Sequence, residues 1–268
     1  MTETSQTLPD FEEPPVVENV IGVEFNELND WSIMSFAEFW QVIQEEYPRY
    51  ETQPPVTTTS VQDLVLEYGF PGKFPVRFWF HHSSEAQLLQ VQSDRFLYNW
   101  RKYITEGTYP RYEKTIRPEF IKEWTRFCDF LQQKGIESPQ VKKCEITYVN
   151  HFEKSREWES LEDMPEMFRF WQKGISSVFL PSASSLAFQI VYPIPEIDGS
   201  LLVNMQPALR NSDSKDIIQL SLTAVGKPNS STLEDVLDCL DTERQWIVNS
   251  FLDITTERMH EIWGIKKI

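Results

Sequence analysis

The sequence predicts an α+β fold made of two similar halves, each with the order strand, helix, three strands and helix. Two observations predict this fold. Segments with alternating apolar side chains and segments with helical periodicity follow one another in the same order twice, and both repeats end in a long amphipathic helix. Antiparallel sheets backed by long helices then place the halves about a pseudo-two-fold axis. The predicted boundaries are a flexible tail over residues 1–14, a first half over 15–140 and a second half over 141–268.

The first half begins with a strand, Val16–Phe25, in which apolar side chains recur at alternate positions. The segment Ser35–Glu38 has the spacing of a capping box, which predicts that a helix begins there and that Pro48 ends it. The three strands predicted next are Leu64–Phe70, Val76–His81 and Ala86–Ser93. The helix that closes this half is predicted to begin near Pro118 and to end at Gly135.

The second half repeats this order. Cys144–Phe152 alternates like a strand, and Ser160 has the position of a cap before a short helix. The predicted strands that follow are Leu186–Tyr192, Leu201–Met205 and Ile217–Thr223. Ser231 and Glu234 then begin the longest helix, whose apolar stripe reaches Phe251.

One stretch of the first half has no counterpart in the second. Matching Gln87–Ser93 with Ile217–Thr223 leaves the residues from Asp94 to the closing helix as a long connection. Long connections on rigid scaffolds often carry function. This one holds the densest group of aromatic, guanidinium and amide side chains, and the predicted binding residues are Asp94, Arg95, Asn99, Trp100, Arg101, Tyr109, Arg111 and Tyr112.

Two interpretations of these residues stay open. In a binding site, arginine offers a planar fork to a carboxylate or phosphate, and tryptophan offers a stacking face. In a structural role, Asp94 pairs with an arginine, Asn99 caps a turn and Trp100 packs beneath the connection. The segment Tyr109–Glu113 has the same five residues as Tyr47–Glu51, and both are predicted to form turns in which an arginine stacks between tyrosine rings.

Polar side chains also mark the strand predicted at the start of the second half. Glu145, Thr147, Tyr148, Asn150 and His151 give it a polar side. A buried hydrogen-bond network is the favoured interpretation of these residues, and a catalytic carboxylate is the alternative.

Composition disfavours several functional classes. The chain has 268 residues and a formal net charge of −16, which argues against direct binding of nucleic acid and against docking on anionic membranes. Three cysteines without close spacing favour free thiols in a reducing compartment, and the polar N-terminus does not resemble a signal peptide, so a cytoplasmic location is predicted. The four histidines lack metal-ligand spacing, and no phosphate-loop or nucleophile motif occurs, so no metal and no cofactor are predicted.

Five motifs carry a family resemblance: Pro14–Glu18, Gln92–Arg101, Tyr109–Glu113, Glu145–Asn150 and Trp263-Gly264. Through them the chain resembles, nearly end to end, a sporadically distributed family of uncharacterised bacterial and archaeal proteins of similar length. The resemblance implies no activity, cofactor or catalytic residue. The patchy distribution of the family is typical of accessory genes, such as defence or toxin–antitoxin loci.

Two functional hypotheses follow. The first is a non-enzymatic protein-interaction module of accessory gene content, which binds a protein partner or a second copy of itself. It rests on the lack of catalytic motifs and on the recognition-type side chains between Gln92 and Tyr112. The second is a small-molecule binding protein or enzyme with a pocket between sheet and helix. A cavity lined by Arg and His with perturbed ionisation would favour the second hypothesis, and a space filled by Trp and Phe rings would exclude it.

Overall fold

The computed structural model describes residues 8–29, 31–56, 76–102, 108–171, 179–210 and 212–266. The strands are β1 Val16–Phe25, β2 Arg49–Gln53, β3 Arg77–His81, β4 Gln87–Gln92, β5 Arg95–Arg101, β6 Val141–Glu153, β7 Phe188–Ile194, β8 Gly199–Arg210 and β9 Lys215–Gly226. The helices are α1 Ile33–Ile43, α2 Arg117–Gln133, α3 Met164–Met167, α4 Leu233–Ile254 and α5 Glu257–Ile262. The described strands form one nine-stranded antiparallel sheet in the order β2-β3-β4-β5-β1-β6-β9-β8-β7.

The alternation of apolar and polar side chains along the central strands decides which face of the sheet the helices cover. In β1, Ile21, Val23 and Phe25 are fully buried on one face, while Glu18 and Glu24 lie on the other. Helices α1, α2 and α4 bury their apolar stripes against the first face, because that is where each removes most apolar surface from water. We name it the helix-covered face.

Aromatic rings fill the space between the helices and this face. The ring of Phe36 in α1 stacks on Phe78 of β3, with centroids 4.5 Å apart. Phe127 of α2 lies 5.1 Å from Phe96 of β5. A core built on rings gives each helix a fixed contact with the sheet, and this contact positions the ends of α2 and α4.

The predicted α+β class with antiparallel strands is confirmed. The strand Val16–Phe25 has the predicted bounds, Pro118 lies in the first turn of α2, and Gly135 follows that helix at φ 71°. Cys128, Cys144 and Cys239 are free thiols, as expected. Among the described helices, none has both the length and the apolar character needed to cross a membrane.

Of the three predicted caps, Ser160 is confirmed, while those at Ser35 and Ser231 are displaced by three residues and one residue. α1 begins after Ser32, whose backbone N–H donates to the hydroxyl of Ser35 at 3.0 Å. α4 begins after Thr232, which accepts from the backbone N–H of Asp235 at 3.2 Å. In each case the cap is the hydroxyl residue that directly precedes the helix and holds extended backbone angles.

The prediction of a long connection after Gln87–Ser93 is wrong for residues 95–101. These residues form β5, which pairs with β4 on one side and with β1 on the other. The match between Gln87–Ser93 and Ile217–Thr223 fails for the same reason, because β9 lies beside β6 whereas β5 separates β4 from β1. The predicted strand Leu64–Phe70 lies outside the described residues.

The turn predicted at Tyr47–Glu51 is also wrong. Arg49–Gln53 form β2, which pairs with β3, and Arg49 makes an exposed ion pair with Glu85. This arginine points toward solvent because it lies on an exposed strand of the sheet.

Residues 8–14, which the sequence assigns to a tail, lie against the C-terminal end of the chain. Phe11 forms an isolated bridge with Ile265, and the N–H of Glu12 donates to the carbonyl of Gly264 at 2.8 Å. The ring of Phe11 is buried 5.9 Å from the ring of Phe251 in α4. We name residues 8–14 the N-terminal strap, because they cover the space beside α4.

Candidate functional site

The predicted binding residues separate into two groups. Side chains alternate along β5, so Arg95, Asn99 and Arg101 lie on the face opposite the helices. Trp100 lies on the helix-covered face, where its ring centroid is 5.6 Å from that of Tyr109. The structure therefore does not bring the predicted residues into one site.

Arg95 is the centre of the first group. Its side chain is 2% exposed, and its guanidinium lies between Glu24 of β1, at 2.9 Å, and Glu145 of β6. Burial raises the pKa of Glu145, and the charge of Arg95 opposes that shift. Arg95 of β5 therefore connects three strands, since its partners lie on β1 and β6. Removing it would leave two largely buried carboxylates without a counter-charge.

A chain of amide contacts continues this group across the sheet. Gln90 of β4 donates to Asn99 at 2.7 Å, and Asn99 donates to Glu18 of β1 at 2.7 Å. Arg101 also donates to Glu18, at 3.0 Å, and its guanidinium lies 4.7 Å from the ring centroid of Trp79. Buried amides that bond on both sides are typical of structural networks. We name these residues, together with Arg95, Glu24 and Glu145, the strand network.

Asp94 has a structural role in the turn before β5. Its carboxylate accepts from Gln92 at 2.7 Å, and its backbone carbonyl accepts from the N–H of Phe25 at 2.8 Å. Burial raises the pKa of Asp94, while the hydrogen bond from Gln92 and the charge of Arg95 lower it. The role of Asp94 is therefore structural, but the predicted pairing with an arginine is not among the described ion pairs, and Gln92 and Phe25 are its hydrogen-bond partners.

The second group lines a cleft of about 770 Å³ on the helix-covered face. The cleft lies between the start of α2, the middle of α4 and the N-terminal strap, and strands β1, β6 and β9 form its floor. Volumes of this size are typical of small-molecule sites. The main polar residues that line it are Asp10, Tyr109, Arg111, Tyr112, Glu113, Arg117, Tyr148, Asn150, Asp241 and Arg244.

Hydrogen bonds and ion pairs connect the two helical walls. Asp241 of α4 accepts two hydrogen bonds from Arg117, both at 3.1 Å, and one from the hydroxyl of Tyr112 at 2.8 Å. Arg244, one helical turn further on, pairs with Glu113 at 2.6 Å and lies 4.8 Å from the ring centroid of Tyr112. These contacts set the width of the cleft, because they join side chains on opposite walls.

A pair of tyrosine hydroxyls lies at the floor. The hydroxyl oxygens of Tyr109 and Tyr148 are 2.7 Å apart. One hydroxyl donates to the other, so one O–H proton remains for a further acceptor, whichever residue is the donor. Burial raises the pKa of both phenols, although Arg244 lowers the pKa of Tyr148 in part. Both hydroxyls are therefore protonated at neutral pH.

Asn19 lies beside this pair. It is opposite Trp100 on β5 and opposite Tyr148 on β6, and its side chain is fully buried. Neither atom of its amide group has a hydrogen-bond partner among the described residues. A buried polar group without a partner costs about 1–3 kcal/mol, which makes such groups rare in folded proteins. Bonding capacity therefore remains in β1 next to Tyr148, although Asn19 is not itself among the residues that line the cleft.

The backbone is irregular where the second group enters the cleft. Arg111 has φ 74° and ψ 142°, a region that favours glycine, and Tyr112–Ile116 form a π-helical turn before α2. Such features occur often at functional sites, because strain persists only where surrounding contacts hold it. Here Arg111 pairs with Asp10 at 2.7 Å and donates to the carbonyl of Phe11 at 2.7 Å.

The contribution of α4 is absent from the sequence prediction. Asp241, Arg244 and Val248 recur at spacings of three and four residues, so they lie on one face of the helix, beside its apolar stripe. This spacing is a sequence signal for the site, but a solvated helix edge gives the same pattern. Tyr148 and Asn150, predicted as part of a buried network, lie at the cleft floor.

In the portion of the chain that the structure describes, no group of three His, Cys, Asp or Glu side chains could hold a metal ion. Comparisons with family models, curated proteins and solved structures give no match to this chain. The chemistry of the cleft therefore follows from its geometry alone, and the family resemblance stays a prediction.

Proposed function

We propose that the protein binds a small organic molecule in the cleft. The observation that carries this proposal is a space of about 770 Å³ at whose floor polar groups keep unused bonding capacity. One O–H of the Tyr109–Tyr148 pair is free to donate, and the Nε of Arg244 has no partner within the described ranges. A concave site with a few convergent polar groups is the usual form of a ligand site.

The ionisation of the tyrosines argues against general-base catalysis by these residues. A general base must be deprotonated at the working pH, and burial raises the pKa of both Tyr109 and Tyr148. The phenols therefore serve as hydrogen-bond donors, which is the role that a binding site requires of them.

A thermal-shift screen of the full chain against acidic, basic and neutral metabolites tests the proposal. A ligand at many times its Kd raises the melting temperature, because it binds the folded state alone. Val248 is half-buried in the cleft wall, so Val248→Trp fills the space and is expected to abolish the shift. Asn249→Trp, at the next and exposed position of α4, is the matched control and should keep the shift.

Two results contradict the proposal. The first is a ligand that stabilises Val248→Trp as much as the unmodified chain, because such a ligand binds elsewhere. The second is a screen in which no compound at millimolar concentration raises the melting temperature.

A protein-interaction surface is the second candidate function, and the exposed side of α1 supports it. Ile33, Met34 and Val42 are each more than half exposed, and so is Tyr50 of the neighbouring β2. Grouped exposed apolar side chains are typical of interaction surfaces. If a second copy of the chain is the partner, light scattering will show an oligomer that Met34→Glu dissociates. A monomer at all concentrations contradicts self-association.

The internal duplication is also a proposal, and the order of the sheet supports it. Outward from the central pair β1–β6, β5 corresponds to β9, β4 to β8 and β3 to β7, and α2 and α4 follow the corresponding strands. This correspondence fits a pseudo-two-fold axis between the central strands. Superposing residues 15–140 on 141–268 tests it, and an alignment that pairs β4 with β9 would contradict it.

A further inference from the structure

The lining of the cleft changes from polar to apolar along α4. Asp241 and Arg244 line one end, and Val248 and Phe251 line the other. Arg244 and Phe251 are two helical turns apart, which is about 10 Å along the axis. The cleft thus has the length and the gradient of polarity that suit a molecule with a polar head and an apolar body.

The apolar end is closed by the N-terminal strap, whose one charged lining residue, Asp10, is paired with Arg111 and Lys266. Phe11 lies with its ring 5.9 Å from Phe251 in an edge-to-face arrangement, and Val16 of β1 and Ile247 of α4 also line this end. Burying a hydrocarbon group here would release water from these side chains, which favours binding of an apolar body.

The polar end offers donors, because the carboxylates there are already paired. Asp241 accepts from Arg117 and Tyr112, and Glu113 pairs with Arg244. Donors at this end without a described partner include the free O–H of the tyrosine pair and the Nε–H of Arg244. A ligand head that completes this set must bring hydrogen-bond acceptors.

The charges of the cleft lining restrict the chemistry of the ligand head further. Five cationic and three acidic side chains line the cleft, a local excess of two positive charges in a chain of formal net charge −16. A local field of this sign attracts an anion despite the overall charge. The acidic side chains bond to several of these cations, so the field that remains suits a single negative charge better than a phosphate dianion.

We propose that the ligand is a monocarboxylic acid with an apolar body, bound with its carboxylate at Tyr148 and Arg244 and its body against Phe11 and Phe251. This inference rests on the proposed function and adds the class and orientation of the ligand. Bidentate or charge-assisted bonds from an arginine to a carboxylate are among the stronger polar contacts in proteins.

Calorimetric titration of the full chain with four probes tests the inference. 3-Phenylpropionate is expected to bind, with octanoate as its aliphatic counterpart. 3-Phenylpropionamide has nearly the same shape without the charge and should bind at least tenfold more weakly. Inorganic phosphate, which lacks the apolar body, should give no saturable binding.

Two variants locate the carboxylate. Arg244→Gln should weaken binding of the acid at least tenfold while leaving binding of the amide unchanged. Tyr148→Phe should weaken binding of the acid several-fold, and it remains informative if the first variant folds poorly. Arg49→Gln, which removes an exposed ion pair with Glu85 far from the cleft lining, is the control and should bind like the unmodified chain.

The outcomes separate the two proposals. If the amide binds as tightly as the acid, or phosphate binds and both acids do not, the inferred ligand class is wrong while the cleft remains a ligand site. If Arg244→Gln binds the acid unchanged, the orientation is wrong. If no probe binds, and if no screened compound gives a thermal shift that Val248→Trp abolishes, both the inference and the proposed function fail.

Discussion

The strand network and the cleft lie on opposite faces of one sheet and use arginine differently. Arg95 of the strand network is 2% exposed and has a carboxylate at each terminal nitrogen. Arg244 of the cleft is 16% exposed, pairs with a single and mostly exposed glutamate, and faces a space of about 770 Å³. This comparison shows that a dense group of polar side chains does not by itself indicate a binding site. A binding site is indicated by polar groups that face open space and keep unused hydrogen-bonding capacity.

The largest expected effect comes from removing the centre of the strand network. Arg95→Met leaves Glu24 and Glu145 without their shared counter-charge, so the free energy of unfolding should fall by about 3–5 kcal/mol. Urea denaturation at pH 7 measures it. Arg49→Met, which removes an exposed ion pair, is the control and should cost less than about 1 kcal/mol. Equal losses in the two variants would remove the distinction between buried and exposed pairs.

The loss of unfolding free energy in Arg95→Met should also depend on pH. Burial raises the pKa of Glu145, and Arg95 is a cause that lowers it, so the variant raises this pKa further. A carboxyl with a raised folded-state pKa contributes stability below its unfolded pKa, and this stability is lost as pH rises through the folded pKa. The loss should therefore be greatest at pH 7 and smaller by about 1–2 kcal/mol at pH 5. A loss that is the same at both pH values would contradict the assignment to an unpaired carboxylate.

Coupling between amides measures how closely the strand network acts as a unit. Gln90 and Asn99 share a buried hydrogen bond of 2.7 Å, so Gln90→Ala and Asn99→Ala should couple by about 1 kcal/mol in a double-mutant cycle. Ser221→Ala on β9 is a distant partner and should add to Gln90→Ala within about 0.5 kcal/mol. Additivity in the Gln90–Asn99 pair would mean that the network is a set of independent contacts.

Periodicity predicted most of the fold, because alternating and helical patterns are local. It found β1 with its observed bounds and placed the end of α2 at Gly135. It missed β5, where Arg95, Asn99 and Arg101 occupy alternate positions that resemble a solvated loop. Their carboxylate partners lie on β1 and β6, and no local pattern shows that these strands neutralise the buried arginine.

The candidate site was predictable only in part for the same reason. Tyr109, Arg111 and Tyr112 were found because they are close together in sequence and rich in recognition groups. Their partners Asp241 and Arg244 are on α4, beyond the reach of any local pattern. The cleft exists because two distant helices cover one sheet, and tertiary packing alone brings those helices together.

The smallest expected effect separates backbone strain in the cleft from the contacts that maintain it. Arg111 has φ 74°, so Arg111→Ala removes its bonds to Asp10 and Phe11 and keeps the strain, whereas Arg111→Gly removes both. The glycine variant should therefore be the more stable of the two by about 1 kcal/mol in urea denaturation. Arg101 gives the matched comparison within β5, where Arg101→Gly should be less stable than Arg101→Ala by about 0.5–1 kcal/mol, because glycine weakens a strand. The same order at both positions would mean that the backbone at Arg111 is relaxed, and the cleft would then lose one of the features that set it apart from the strand network.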